Sequence, residues 1–327
     1  MSSSFIGSKS LTTSTQLEPL LGLTSAKRVV RELITGQSGV HSVLLYGAPG
    51  SGKNVLAELL AQAWLCQQPG PEGADGICRA CGAFERNTNA DFLRIEPQGP
   101  SRIIPVKAIT ESSADAEANI PVISFFRTLP LLSRHKVVMI ESADRMNNAA
   151  SNALLKTLEE PYPHAKLILT TDTVGAILPT ILSRCLAVAC ESPAEELLRN
   201  AFPDATEEEL RMSEGTPGRL RHVIAHRAAY GRLTAFARGL VFRNPGEALV
   251  AAEELRLASD ALEKSLGCGA RAAQAESLEM LAIYLAREPQ APPEWTQYVT
   301  EAHRRIVQNG SASIVFDALM AKLFARN

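Results

Sequence analysis

Residues 47–54 read Gly-Ala-Pro-Gly-Ser-Gly-Lys-Asn, and this run constrains the fold more than any other part of the chain. The spacing G-x-x-x-x-G-K is that of a phosphate-binding loop. Gly47, Gly50 and Gly52 let the backbone wrap phosphate oxygens with N–H groups, Lys53 adds a point charge at the β- and γ-phosphates, and the next helix presents its N-terminal dipole. The apolar run Ser42–Tyr46 predicts a strand before the loop, and Lys53 to about Cys66 predicts a helix after it. The last position of the motif normally carries the Ser or Thr whose hydroxyl holds Mg²⁺; here it is Asn54. ATP or ADP binding is therefore compatible with the loop, and metal-dependent hydrolysis is disfavoured.

Further β-rich runs alternate with helical stretches up to about residue 190. They are Phe92–Glu96, Lys136–Glu141, Lys166–Thr170 and Leu186–Cys190. A helix is expected over Arg145–Glu160, with Met146, Ala150, Ala153, Leu154 and Leu158 on one face and Pro161 as its stop. This alternation implies a parallel sheet covered on both faces. After about Cys190 no strand is expected. A short helical region with a turn at Gly215–Gly218 is followed by Ala-, Leu- and Glu-rich helices, interrupted at Pro245-Gly246 and Pro289–Pro293 and ending in an amphipathic helix over Ala312–Phe324. There Ile314, Leu319, Leu323 and Phe324 are expected in a core.

A chain of 327 residues has room for such a three-part division. Residues 1–16, rich in Ser and Thr, are expected to form a disordered lead-in. The α/β domain then spans 17–190, a small helical domain 191–231 and a larger one 232–327. The net charge is only −2, so any nucleic-acid contact needs a local patch. Arg127, Arg134, His135 and Lys136 form one basic cluster, which reads either as that patch or as a solvated loop. No apolar run approaches the roughly 20 residues of a membrane helix, and six unevenly placed cysteines do not suggest a secreted disulfide framework. A cytoplasmic protein without membrane contact is expected.

The third strand reads Val137-Val138-Met139-Ile140-Glu141-Ser142-Ala143-Asp144. A hydrolytic P-loop protein ends this strand in an acidic pair, one carboxylate for Mg²⁺ and one to polarise water. Ser142 stands at the second position, and its hydroxyl is a poor base. Asp144 reads as a helix N-cap.

The stretch Asn148–Pro161 (NAASNALLKTLEEP), then Leu167–Asp172, then Leu178–Cys185 (LPTILSRC) closely resembles bacterial clamp-loader AAA+ subunits, by motif over about residues 20–225. The degraded acidic pair with an intact Ser183-Arg184-Cys185 is most similar to the delta-prime type. The resemblance implies an AAA+ P-loop domain, a helical lid and a C-terminal collar in a heteropentamer with gamma/tau and delta subunits, acting with the sliding clamp and primed DNA. It implies that Arg184 serves in trans as a finger at a neighbour's γ-phosphate, where a permanently charged planar fork suits transferring phosphate. Outside that motif order, an arginine after an apolar helix reads as a solvated cation. The other function class is an active ATPase of the gamma/tau type; Asn54, Glu141 and Ser142 argue against it.

Thr170 and Thr171 end the fourth strand where the family places a γ-phosphate sensor, and Arg219, after Gly215-Thr216-Pro217-Gly218, matches its second sensor. An exposed arginine at a helix start is the plainer reading of Arg219. The family also inserts a zinc knuckle of spacing C-x8-C-x2-C-x2-C. Here the insertion at 66–81 reads C-x8-D-x2-C-x2-C, so that Cys66, Asp75, Cys78 and Cys81 are the candidate Zn²⁺ ligands, the alternative being a decayed knuckle with three free thiols. Cys190 and Cys268 read as packing residues.

Overall fold

The computed structural model describes residues 15–36, 39–98, 102–110 and 120–325. The chain divides into two compact units, Ser8–Leu197 and Leu198 onward.

The first unit holds α1 (Thr24–Ile34), β1 (Ser42–Tyr46), α2 (Lys53–Leu65), α3 (Arg79–Glu85), β2 (Phe92–Ile95), α4 (Val122–Arg127), β3 (Lys136–Ile140), α5 (Asn148–Glu159), β4 (Ala165–Thr171), α6 (Pro179–Leu182) and β5 (Leu186–Ala189). The five strands form one sheet in the order β2-β3-β4-β1-β5, and every pairing is parallel. Apolar residues alternate between its faces because successive side chains of a strand point oppositely. Val43 and Leu45 of β1, Val137 and Met139 of β3 and Ile168 of β4 pack with Leu56 and Leu60 of α2 and Val30 of α1. Leu44, Val138, Ile140, Leu167 and Leu169 face the other way, onto Phe126 of α4 and Ala150 and Leu154 of α5. Burial on both faces explains why these strands read as continuous apolar runs.

Three local expectations change. The helix after β3 begins at Asn148 rather than Arg145: residues 143–145 form a 3-10 turn, Met146 is extended, and the Asn147 side chain caps α5 by accepting from the Ala150 N–H at 2.8 Å. Asp144 is therefore not the cap. The basic cluster before β3 divides: Arg127 and Arg134 are exposed, His135 is half-buried and Lys136 is interior. Lys136 is buried, donates to Thr128 Oγ1 at 2.6 Å and lies over the Phe125 ring, while burial, then the charges of Lys166 and Arg134, push His135 down to about 4. Of the lead-in, residues 1–14 lie outside the described residues, but Gln16 pairs with Gly73 and Leu17 is fully buried.

The segment before β3 is tied down by a single carboxylate. Asp91, with no exposed surface, accepts from the backbone N–H groups of Leu131, Leu132 and Ser133 at 2.7–2.9 Å.

Helix α7 (Glu195–Ala201) leads into the second unit, which comprises α8 (Glu207–Met212), α9 (Pro217–Ala225), α10 (Arg227–Leu240), α11 (Ala248–Leu266), α12 (Ala270–Leu285), α13 (Pro293–Val307) and α14 (Ala312–Phe324). The expected boundary at 231/232 falls inside α10. Met212 and Val223 share one apolar core with Leu233, Leu255, Leu281, Ile306, Leu319, Leu323 and Phe324, so lid and collar sequences are packed as one body. Ile314, expected in that core, is 70% exposed.

Candidate functional site

Strands β1, β3 and β4 end at the same edge of the sheet, the side at which open α/β sheets carry their sites. The loop after β1 turns there. Gly50 and Gly52 hold φ of 78° and 93°, values that favour glycine. Gly47 is needed for a different reason: a Cβ there would lie 2.3 Å from the Cys190 carbonyl oxygen, so this glycine serves the approach of the chain after β5. The Gly47 N–H also donates to Thr171 O at 3.2 Å.

Each charged group around the loop has a partner in the chain. Lys53 is buried; its ammonium pairs with Asp172 and donates to Ala48 O at 3.3 Å. Asn54 Nδ2 donates to Glu141 Oε2 at 3.3 Å. Glu141 Oε1 lies 3.6 Å from Arg94 Nη1, and Arg94 Nη2 lies 2.5 Å from Glu58 Oε1, with Glu96 at 3.8 Å from Nη1. Burial pushes the Glu141 carboxyl up to about 7, with the Arg94 charge pulling it back. Two polar atoms remain without partners: Ser51 Oγ and Asn54 Oδ1.

The remaining acids and sensors are also engaged. Ser142 sits at φ 50°, a left-handed conformation that costs a side-chain-bearing residue about 1–2 kcal/mol, and its N–H donates to Thr170 Oγ1 at 3.3 Å. Thr171 Oγ1 donates to Asp144 Oδ1 at 3.0 Å, and Arg145 Nε lies 3.5 Å from Asp144 Oδ2. Arg219 is placed differently. It lies in the helical unit, its side chain is 9% exposed, and its guanidinium pairs with Glu214 and Glu279. Arg184, after α6, is about one-third exposed (35%), donates to Thr180 O at 2.9 Å and pairs with Glu159 at 2.8 Å.

A P-loop fold implies nucleotide with Mg²⁺, and the two halves of that ligand fit differently. The phosphate half fits: left-handed glycines, a lysine, a helix start and an unpartnered Ser51 hydroxyl converge on one loop. The metal half does not. Asn54 points an N–H donor at Glu141 and keeps its own Oδ1 without a partner, and the Arg94 guanidinium lies 3.6 Å from that carboxyl.

The cysteine cluster has its own geometry. One ligand atom each from Cys66, Asp75, Cys78 and Cys81 lie within 4.8 Å of one another. Cys66 Sγ and Cys78 Sγ are 3.9 Å apart, against the ~3.8 Å edge of a tetrahedron with Zn–S near 2.3 Å. The Asp75 N–H donates to Cys66 Sγ at 3.3 Å and the Cys81 N–H to Cys78 Sγ at 3.5 Å, contacts that favour thiolates. Asp75 Oδ1 accepts from the N–H groups of Cys78 and Ile77, which hold its carboxyl down at about 2. The donor set can hold a metal such as zinc. The knuckle also anchors the N-terminal segment: Ala74 N–H donates to Thr15 O at 3.2 Å, and Arg31 binds Glu72 with Nε at 2.7 Å and Nη2 at 2.9 Å.

Four residues that shape the site were missed in the sequence: Arg94, Glu58, Asp172 and Glu159. The signal for Arg94 was a charge inside the strand Phe92–Ile95, and for Glu58 a charge on an otherwise apolar helix.

Loop, sheet order and helix arrangement define a P-loop α/β domain of the AAA+ type followed by a helical region. A family model described as "DNA polymerase III, delta subunit" matches residues 23–194, and the chain belongs to that family. It is 38% identical over 185 residues to the DNA polymerase III subunit delta' of Pseudomonas aeruginosa, covering 54% of this chain and 53% of that one. Against the Escherichia coli subunit delta' the identity is 32% over 187 residues, covering 55% and 53%. The E. coli subunit tau is 30% identical over 169 residues, covering 52% of this chain and 24% of tau. These names support a clamp-loader subunit of the delta-prime kind. The chain spans about half the length of the delta' relatives it matches. The fold is also that of a gamma-subunit-related protein from Thermotoga maritima, with TM-score 0.53 at 20% identity, covering 92% of this chain and 98% of that one. No described helix is long and apolar enough to cross a membrane.

Proposed function

We propose that this chain is the non-hydrolysing, stator-type subunit of a DNA polymerase III clamp loader. It assembles with gamma/tau and delta subunits into a heteropentamer, lends Arg184 to a neighbouring ATP site, and helps place the sliding clamp on primed DNA. Its own loop holds the phosphates of ATP or ADP without turning them over.

The observation that carries this reading is an asymmetry. Arg184 stands about one-third exposed on a short turn, while among the described residues Glu141, Asp144 and Asp172 at the chain's own loop each meet a partner in the chain. Glu141 is held by Arg94 and Asn54, Asp144 by Thr171 and Arg145, and Asp172 by Lys53. A general base must be free to take a proton, and Ser142 offers only a hydroxyl. A guanidinium supplied in trans stabilises the charge of the transferring phosphoryl group.

The test uses a loader reconstituted with gamma/tau and delta subunits. Arg184→Ala is expected to lower DNA-stimulated ATP hydrolysis at least about tenfold, since removing such a finger costs orders of magnitude, while the complex still elutes intact. An unchanged rate rejects the finger. Robust turnover by the isolated chain, abolished by Lys53→Ala, rejects the stator reading.

A further inference from the structure

The loop's phosphate half keeps its glycines and its lysine, the lysine paired with Asp172, and at its metal half Asn54 and Glu141 are bonded to groups of the chain itself. In a metal-dependent P-loop, the residue after the lysine gives Mg²⁺ a hydroxyl oxygen, and an acid at the end of the third strand helps hold the ion. Here Asn54 Nδ2 donates to Glu141 Oε2 at 3.3 Å. In this arrangement the amide turns its donor to Glu141 and leaves Oδ1 buried without a partner. Glu141 in turn faces Arg94, whose guanidinium also holds Glu58, a residue only 9% exposed. A divalent ion entering between Asn54 and Glu141 would have to break the amide bond, displace a hydrogen-bond donor and sit near a cation bonded to a buried acid. The Arg94–Glu58 pair resists displacement in part, since separating it would strand the carboxylate of Glu58, the more buried partner.

On the phosphate side, Ser51 is 1% exposed and its hydroxyl has no partner, although buried hydroxyls are nearly always bonded. A phosphate oxygen held by the loop's N–H groups supplies an acceptor of the right kind.

We propose that this loop binds the polyphosphate of a nucleotide without a divalent cation, Arg94 doing permanently for Glu141 what Mg²⁺ does transiently in a hydrolysing relative. This rests on the reading that the loop holds nucleotide, and not on the role of Arg184. A metal-free site also accounts for binding without hydrolysis, because in-line transfer relies on a metal bridging the β- and γ-oxygens.

The experiment titrates the full chain with fluorescent ADP, and with pyrophosphate as competitor, in 5 mM-scale Mg²⁺ (about the cellular order, in excess of any site) and again in EDTA. The dissociation constants are expected to agree within about twofold, and Lys53→Ala to abolish binding in both buffers. Binding that weakens tenfold or more in EDTA overturns the proposal and leaves the nucleotide reading standing. No binding in either buffer overturns both. Competition by pyrophosphate as effective as by unlabelled ADP assigns recognition to phosphate alone; much weaker competition assigns part of it to the nucleoside. The variant Asn54→Thr, Glu58→Gln, Arg94→Gln removes the resident cation with its buried partner and restores the hydroxyl. Mg²⁺ should then tighten binding at least tenfold; a folded variant still indifferent to Mg²⁺ shows that Arg94 and Asn54 are not what excludes the ion.

Discussion

Arg184 Nη2 lies 2.8 Å from Glu159 Oε1, so the residue proposed to serve a neighbour's ATP site is held on its own chain by the last residue of α5. The pair is exposed enough for solvent to screen it, and pairs of this kind contribute about 0–1 kcal/mol. It therefore orients the guanidinium without trapping it. Glu159→Gln is expected to change folding stability by less than about 0.5 kcal/mol, and to leave or modestly raise the DNA-stimulated ATPase of the assembled loader. A loss as large as that of Arg184→Ala would mean that Glu159 positions the finger, and that its charge is needed in the complex.

The ion pair between Lys53 and Asp172 leads to a second expectation. A carboxylate on the loop lysine competes with phosphate for the same ammonium, and it must move aside when nucleotide enters. Asp172→Asn removes the competing charge and keeps a hydrogen-bond acceptor. Nucleotide affinity should rise about three- to tenfold, equivalent to roughly 0.7–1.4 kcal/mol, read as a shift in the fluorescent-ADP titration midpoint. An unchanged or weaker midpoint would indicate that Asp172 holds Lys53 in its binding position instead of blocking it.

These pairings show what could and could not be read from the sequence. The strands were legible because burial on both sheet faces leaves continuous apolar runs, as in Val137–Ile140. The loop was legible because left-handed turns at Gly50 and Gly52 demand glycine. What was not legible is which distant charge each site residue meets. Arg94 reaches Glu141 and Glu58 from a neighbouring strand, and Asp91 secures residues 131–133 from forty positions away. Such contacts follow from strand order, which hydrophobic periodicity does not encode. The start of α5 differs for a local reason: the Asp144 carboxylate is taken by Thr171, and Asn147, three residues on, accepts the capping bond.

The cysteine cluster, as a candidate zinc site, permits a test that separates two roles of Asp75. Its Oδ1 accepts from two backbone N–H groups, a turn that an asparagine oxygen reproduces, whereas only the carboxylate is a good anionic zinc ligand. Asp75→Asn is expected to preserve the fold of the knuckle and to lower zinc retained after a mild chelator to less than about half, the metal being measured by plasma emission. Cys78→Ser should do the same. Because the knuckle anchors Thr15 and Leu17, stripping the metal should also expose the 15–20 segment to protease. Full zinc retention by Asp75→Asn would restrict Asp75 to shaping the turn.

Acid stability is expected to depend on His135 and His222, whose protonation burial disfavours. Burial, followed by nearby positive groups, pushes both His135 and His222 down to about 4. In the unfolded chain each takes a proton near 6.5. Between these values the unfolded state binds protons that the folded state refuses, so the stability each neutral imidazole contributes above pH 6.5 is lost as pH falls from 6.5 towards 4. The full loss is at most about 3–4 kcal/mol per histidine, about 1.36 kcal/mol for each pH unit between 6.5 and about 4. His135 has a buried Nδ1 without a partner, and His222 packs edge-on against Tyr230 with ring centroids 5.8 Å apart. His135→Asn and His222→Phe should therefore each flatten the fall of the urea midpoint below pH 6.5, while their offset from the parent chain stays constant between pH 7 and pH 8. Curves running parallel to the parent down to pH 4.5 would show that these imidazoles accept protons in the folded state and that acid sensitivity lies elsewhere.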